Sequence, residues 1–379
     1  VYEPFRKMNL LLFVVPWQVL ASRTMGDFYM EDNVSKRHKV LFPLIFAIVA
    51  VVGLFYVKWD PYYAKAFVAA AKGSIGSSII TGTSAQAPEP SVQAALDYAS
   101  AYFTAVWKAV VLGLLVGSLV QVLIPRKWVT RFMGANDFAS SLRSGAAALP
   151  GMMCTCCAAP VTEGLRARSA SVRSAVTFFL ANPVLNPATI VFMGFVLSWE
   201  YAAFRIVAGI ITVFCVSWLA GKAAGEEAVV SEKDLALKDK EDAMESFMLR
   251  WMKSLWKLIL HTIPAYLIVV LALGFARAWL FPTVGSEWGN DIFVIIGLAL
   301  AGTLFVIPTA AEIPVVQTLL AAGLSTGPAV TLMMTLPAVS LPSLLIVKKA
   351  FPTKALFTIF FGVVIIGIIC GLIAPYILG

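Results

Sequence analysis

Charge and histidine are what this chain has least of. Only 13% of its 379 residues are Asp, Glu, Lys or Arg, and it holds two histidines. A water-soluble domain carries about 25% charged residues, so a soluble fold is excluded. His38 and His261 stand apart in the sequence, which removes the usual zinc ligand sets. No Gly-x-x-x-x-Gly-Lys phosphate loop occurs, so ATP would have to be hydrolysed by a separate subunit. No Ser/His/Asp or metal-hydrolase pattern occurs either. The chain is therefore not expected to be an enzyme, and nothing implies a resident cofactor. Cysteine is scarce as well, with five in all. Cys215 and Cys370 each lie in an apolar run and read as inert core. The other three crowd together, unlike a disulfide framework.

What is abundant is apolar sequence, 60% of the chain. Several runs reach the roughly 20 residues that cross a hydrocarbon core of about 30 Å, which predicts an all-α polytopic membrane protein. The net charge of +8 sits in short loops, where Lys and Arg orient a membrane protein and give no reason to expect nucleic acid. The partners are the lipid bilayer and a small substrate, with a homo-oligomer allowed. The basic cluster Lys36-Arg37-His38-Lys39 puts the N-terminus in the cytoplasm, so the expected location is the cytoplasmic (inner) membrane.

Four regions emerge from the run lengths. Residues 1–100 hold an interfacial N-terminal helix, a first span over Val40 to Val57, and an external loop from Lys58 to Ser100. Residues 101–221 form a first transmembrane repeat. Residues 222–252 are a charged cytoplasmic linker, and 253–379 form a second repeat. The pair Gly113 and Gly117 in the span from Tyr102 to Ile124 permits close helix packing. Lys108, Lys257, Arg205 and Arg277 lie near predicted span ends, where snorkelling accounts for them.

The repeat is visible directly. A shift of 154 positions aligns Pro160–Pro183 with Pro314–Pro337 without a gap, and nine of 24 positions agree. The same shift pairs Asp137 with Asp291 and Thr155 with Thr309. Loop charge puts one short hairpin, about Ser140 to Gly164, on the cytoplasmic side, and another, about Phe293 to Leu324, outside. Each half then has one span, a re-entrant hairpin and two spans, and the odd number of crossings makes the repeats inverted. Each half also carries a proline-broken transmembrane helix, at Asn182-Pro183-Val-Leu-Asn186-Pro187 and at Leu336-Pro337-Ala-Val-Ser340-Leu-Pro342. Such architecture gathers broken helices near the bilayer midplane, where secondary transporters bind substrate.

The chemistry concentrates at Leu149-Pro-Gly-Met-Met-Cys154-Thr155-Cys156-Cys157-Ala-Ala-Pro160. Thiols this close suit a soft, thiophilic ion or metalloid, so Cys154, Cys156 and Cys157 are the candidate metal or metalloid ligands. They cannot share one face of a continuous helix but can converge at a turn between half-helices. Thr155, Thr309, Asn182, Asn186 and Ser340 are candidate substrate-binding neighbours, since prolines free carbonyls beside them. Glu312, in Ile307-Pro308-Thr-Ala-Ala-Glu312-Ile-Pro314, is an intramembrane carboxylate and hence a functional candidate. It is read either as a substrate contact and proton carrier or as a cap for backbone donors.

At Cys154-Thr-Cys156-Cys157 and Pro308-Thr-Ala-Ala-Glu312-Ile-Pro314, the chain resembles the bacterial and archaeal predicted-permease family that includes the organoarsenical efflux permeases. The resemblance runs from about Tyr102 to the C-terminus and takes in both double-proline breaks. It implies export of trivalent arsenicals, with the thiols as ligands. The resulting expectation is a secondary permease that exports a thiophilic metalloid or metal species by alternating access. Two alternatives stand beside it: a transporter of a small sulfur compound, and a membrane thiol oxidoreductase using Cys154 and Cys156.

Overall fold

Helix-forming apolar runs punctuated by capping residues and prolines account for the architecture. The computed structural model describes residues 36–82, 87–225, 247–281 and 289–379. The expected interfacial helix, most of the charged linker and part of the loop after residue 280 lie outside the described residues. Contacts separate residues 1–45 from a unit spanning 46–379, and the larger unit carries both copies of the repeat.

Helix α1 (Lys36–Leu54) passes through a π-helical turn (Phe55–Trp59) into α2 (Asp60–Lys72). The first half continues with α3 (Val92–Leu123), α4 (Arg126–Met133), α5 (Phe138–Ala148) and α6 (Thr155–Ala167). It ends with α7 (Val172–Val184), α8 (Pro187–Val196) and α9 (Trp199–Ala224). The second half comprises α10 (Phe247–Leu280), α11 (Ile292–Leu304), α12 (Glu312–Ala321) and α13 (Thr326–Ala338). Helices α14 (Leu341–Val347) and α15 (Thr353–Ile377) complete it. Among the described residues there is no named strand, and seven helical segments are long and apolar enough to cross a membrane. This is a multi-pass membrane protein.

Helix starts recur at the spacing seen in the sequence. Helices α5, α7, α8 and α9 begin 154 positions before α11, α13, α14 and α15 respectively. The paired Asp137 and Asp291 are both N-caps: their carboxylates accept from Ser140 N and Phe293 N, which satisfies donors a helix start leaves open. Hydrogen bonding from Ser140 holds the Asp137 carboxyl below its ordinary range. Asn186 and Ser340, also paired by the shift, cap α8 and α14.

Two expectations change. The stretch after residue 57, read as an external loop, is helical to Lys72, and α3 starts at Val92, ten residues before the expected span. The charged Lys58 does not end the helix, because the apolar aromatic run continues around it and its ammonium is buried at 4% exposure. Pro160 and Pro314 do not break the backbone. Pro160 lies inside α6 and Pro314 in the first turn of α12. The breaks are instead Leu149–Cys154 and Phe305–Ala311, each with a non-glycine residue at positive φ, Met152 at 46° and Ala310 at 68°. Such residues are uncommon outside glycine.

Packing places the breaks at the centre. Helix α3 lies along α6 and α10, while α9 lies along α7 and α15. A Cβ on Gly113 would stand 2.8 Å from the Cys157 carbonyl oxygen, and one on Gly117 would stand 2.7 Å from that of Pro160. The glycine pair therefore lets α3 approach the thiol-bearing helix backbone to backbone. Across the halves, α6 touches α14 and α12 touches α8.

Candidate functional site

The thiols stand at the start of α6, not along a loop. Cys154 is its N-cap residue, in extended backbone conformation and making no side-chain cap bond. Cys156 and Cys157 fall in the first helical turn, so successive side chains point about 100° apart. Cys154 interacts with both of the other thiols. Cys154 Sγ and Cys157 Sγ come within 3.2 Å of each other, whereas Cys156 Sγ turns to the Tyr102 hydroxyl at 3.0 Å. All three are buried and free. Among the described residues, no set of three or more His, Cys, Asp or Glu side chains is arranged to hold a metal ion together. Cys154 is the extended residue before the helix, and its sulfur also interacts with Cys156, the pair considered for redox chemistry.

Cys154, Thr155, Thr309 and Glu312 line one cavity, closed on other sides by Pro183 and Pro337 of the broken helices. Its volume of about 10 Å³ admits little more than a single water. Thr155 Oγ1 lies 3.3 Å from Ser340 Oγ, which joins the first break to the second broken helix. The remaining candidates have different duties. Asn186 Oδ1 accepts from Ala188 N and Thr189 N, making it a cap. Asn182 Nδ2 donates to Phe178 O, while its Oδ1 is buried without a partner and points at Gly151, where a Cβ would stand only 2.6 Å away.

Three residues outside the predicted set are as central as those within it. Arg205, expected to snorkel, is fully buried and ion-paired with Glu312 at 2.9 Å. Its guanidinium also donates to Pro183 O at 3.0 Å, Val184 O at 3.1 Å and Met333 O at 3.3 Å. Each acceptor has lost its helical donor. Pro187 and Pro337 have no N–H to offer Pro183 and Met333, and Ala188 N is taken by the Asn186 cap. Arg277, likewise expected at a span end, is buried and donates to Ile80 O and Ala94 O. Cys215, read as core, is exposed, while Cys370 is buried.

Lys58 and Trp59 are the other two. Trp59 Nε1 donates to Pro150 O at 2.8 Å, a carbonyl released by the first break. Lys58 Nζ donates to Thr309 Oγ1 at 3.1 Å, in the second break, and to Tyr62 Oη at 3.0 Å. Neighbouring residues on one π-helical turn thus reach both breaks, and π-turns recur at functional sites. A lone lysine within Phe55-Tyr-Val-Lys-Trp59 is the signal the sequence offers for it.

A family described as "Predicted permease" matches residues 143–376. The chain belongs to that family. Similar proteins include the UPF0718 protein YraQ of Escherichia coli (strain K12), 51% identical over 329 residues, 87% of this chain and 93% of the relative. The UPF0718 protein MJ0584 of Methanocaldococcus jannaschii is 23% identical over 340 residues, 71% of this chain and 92% of the relative. No solved structure matches the chain. The permease-family match takes in both breaks, both broken helices and Arg205, but begins well after the helix that carries Lys58 and Trp59.

Proposed function

We propose that this chain is a secondary permease of the cytoplasmic membrane, exporting a thiophilic metalloid or metal species, arsenical-like in its affinity for sulfur. The observation that carries the reading is Cys154 on the wall of a cavity lined by both breaks, with Cys157 Sγ 3.2 Å from its sulfur. Two soft sulfur ligands at that spacing suit a trivalent metalloid, which takes thiolates and needs no histidine. In this reading α5–α6 and α11–α12 are re-entrant hairpins of two inverted halves, and alternating access opens this small cavity to either side.

Glu312 is the proton carrier in this scheme. Arg205 holds it at 2.9 Å but has three carbonyl acceptors as well. Protonating Glu312 therefore releases the carboxyl without stranding the guanidinium, whose desolvated donors stay bonded.

The test is binding of phenylarsine oxide by the purified full chain, followed by resistance to trivalent arsenicals in cells. Cys154→Ser with Cys157→Ser is expected to remove both while membrane abundance holds. Unchanged binding and resistance in the double variant would end the reading. The small-sulfur-compound alternative would instead show arsenical-insensitive uptake of thiosulfate into proteoliposomes.

A further inference from the structure

Buried polar atoms without partners gather in one seam outside the cavity. Helices α3 and α14 each pack against both α6 and α10, so side chains that α6 and α10 turn towards each other are enclosed. Among the described residues, Glu163 Oε2 of α6 and three atoms of α10, His261 Nε2, Thr262 Oγ1 and Tyr266 Oη, are buried with no hydrogen-bond partner. Packing alone would be served better by apolar side chains, because a buried polar atom left unbonded loses its hydration. Ordered water is what ordinarily satisfies such groups.

The two rows of side chains run in opposite directions and match at both ends. At the inner end the Tyr266 hydroxyl acts on the Cys156 sulfur without an aligned hydrogen bond to it. Glu163 follows Cys156 by nearly two turns and so shares its face of α6. The charges acting on Glu163 are Lys257 of α10 and Lys349, just after α14. The same two lysines act on His261, whose ring also meets the Ile346 backbone, while Arg166, further along α6, donates to Ala350 O. Exposure falls along the seam. Lys257 and Lys349 are exposed, Glu163 and His261 are half-buried, and Thr262, Tyr266 and Cys156 are no more than 1% exposed. The repeat supplies a contrast, since the 154-residue shift pairs Glu163 with Gln317 and Cys156 with Ala310. The Gln317 amide donates to Gly73 O at 2.8 Å, so the second half has a neutral, bonded side chain where the first has a carboxyl oxygen without a partner.

We propose that this seam is a proton path, running from the surface at Glu163 through His261, Thr262 and Tyr266 to the Cys156 thiol. Carboxyl, imidazole and hydroxyl groups can each take up a proton and pass one on, and rows of such residues inside membrane proteins mark proton relays. The use of the path rests on the thiol-site reading. A soft divalent cation such as Hg(II), taken by Cys154 and Cys157, displaces a proton from each thiol. Those protons leave by way of Cys156, which interacts with Cys154, and then outward along α10. In the proposed topology the lysine end of the seam faces the cytoplasm, where an exporter loads. The route is separate from Glu312, which lines the cavity.

The experiment follows the infrared S–H band of Cys156, assigned by its loss in Cys156→Ala, after the full chain in detergent is moved into heavy water. Wild type should exchange S–H for S–D. Glu163→Gln and Tyr266→Phe should each slow that exchange about tenfold or more, and Glu163→Asp should keep most of the rate. Backbone amide exchange in the same spectra should match wild type, which reports an intact fold. A wild-type band that does not exchange, or equal rates in wild type, Glu163→Gln and Tyr266→Phe, overturns the proposal. If Glu163→Gln loosens the fold, Tyr266→Phe decides: unchanged S–H exchange there overturns it. Mercuric chloride separates the two readings. In a chain carrying Cys215→Ser and Cys370→Ser, its binding should release protons to an indicator dye, and more slowly once Glu163→Gln is added. If that chain takes no Hg(II) while S–H exchange still depends on Glu163 and Tyr266, the thiol reading falls and the path stands.

Discussion

Arg205 Nη1 lies 2.9 Å from Glu312 Oε1, and the two residues belong to different halves of the chain. The guanidinium ties together Pro183, Val184 and Met333 by their freed carbonyls and leaves the carboxylate facing the cavity. One side chain therefore closes the proline breaks of both halves and holds the candidate proton carrier.

Removing either partner of this pair should have unequal effects. Arg205→Met leaves a carboxylate and three carbonyls buried without donors, and breaking a buried pair this way costs about 3–5 kcal/mol. Glu312→Gln leaves Arg205 its three carbonyls and should cost less, while abolishing transport driven by a proton gradient. Thermal melts in detergent together with vesicle flux separate the two. Equal destabilisation by both variants would contradict the carbonyl tie.

The three cysteines should respond unequally, with Cys154 touching both of the others. Cys154→Ser and Cys157→Ser should each weaken phenylarsine oxide by about tenfold or more, since a soft centre loses one of two sulfurs. Cys156→Ser should retain most of the affinity, because a serine hydroxyl can keep the contact with Tyr102. A loss for Cys156→Ser as large as for the other two would mean that all three thiols converge on the cargo.

Close approach of α3 to α6 makes Gly117 sensitive. Gly117→Ala puts a methyl 2.7 Å from the Pro160 carbonyl oxygen, overpacking that costs about 1–3 kcal/mol. Gly297→Ala, with nothing within 4 Å of the added carbon, should be neutral or stabilising by roughly 0.5–1 kcal/mol, the usual gain of alanine over glycine inside a helix. Paired melting curves check the contrast.

Asp137 gives a pH dependence of definite sign. Hydrogen bonds led by those from Ser140 lower its folded-state affinity for protons, so the cap's contribution is present above the unfolded carboxylate range and is lost as pH falls through the lower folded value. Asp137→Asn, which still offers an oxygen acceptor to Ser140 N, should flatten that acid limb. Melting temperature against pH for both proteins reads it directly.

Much of the helical order is legible along the chain. The repeat shift, the run lengths and the cap pairs Asp137/Asp291 and Asn186/Ser340 are local properties, and the helices begin where caps and prolines put them. Arg205 and Lys58 escape a sequence reading for one reason. A charged residue in an apolar run is assigned from its distance to a span end, whereas its burial depends on which distant carbonyl or hydroxyl it meets. The Cys154–Cys157 pairing escapes it because the pairing needs the helix to start at Thr155, and the nearby prolines suggest a longer turn.

Composition and periodicity alone determined that this chain crosses a membrane many times, that its halves share one plan, and that its thiols gather at a backbone break. Each of those comes from interactions between residues close in sequence and from transfer into lipid. Tertiary structure decided that a lysine from the first described helical segment reaches the second break, and that one arginine serves both halves. Those outcomes depend on contacts between residues 128 to 251 positions apart, set by how helices pack rather than by any pattern along the chain.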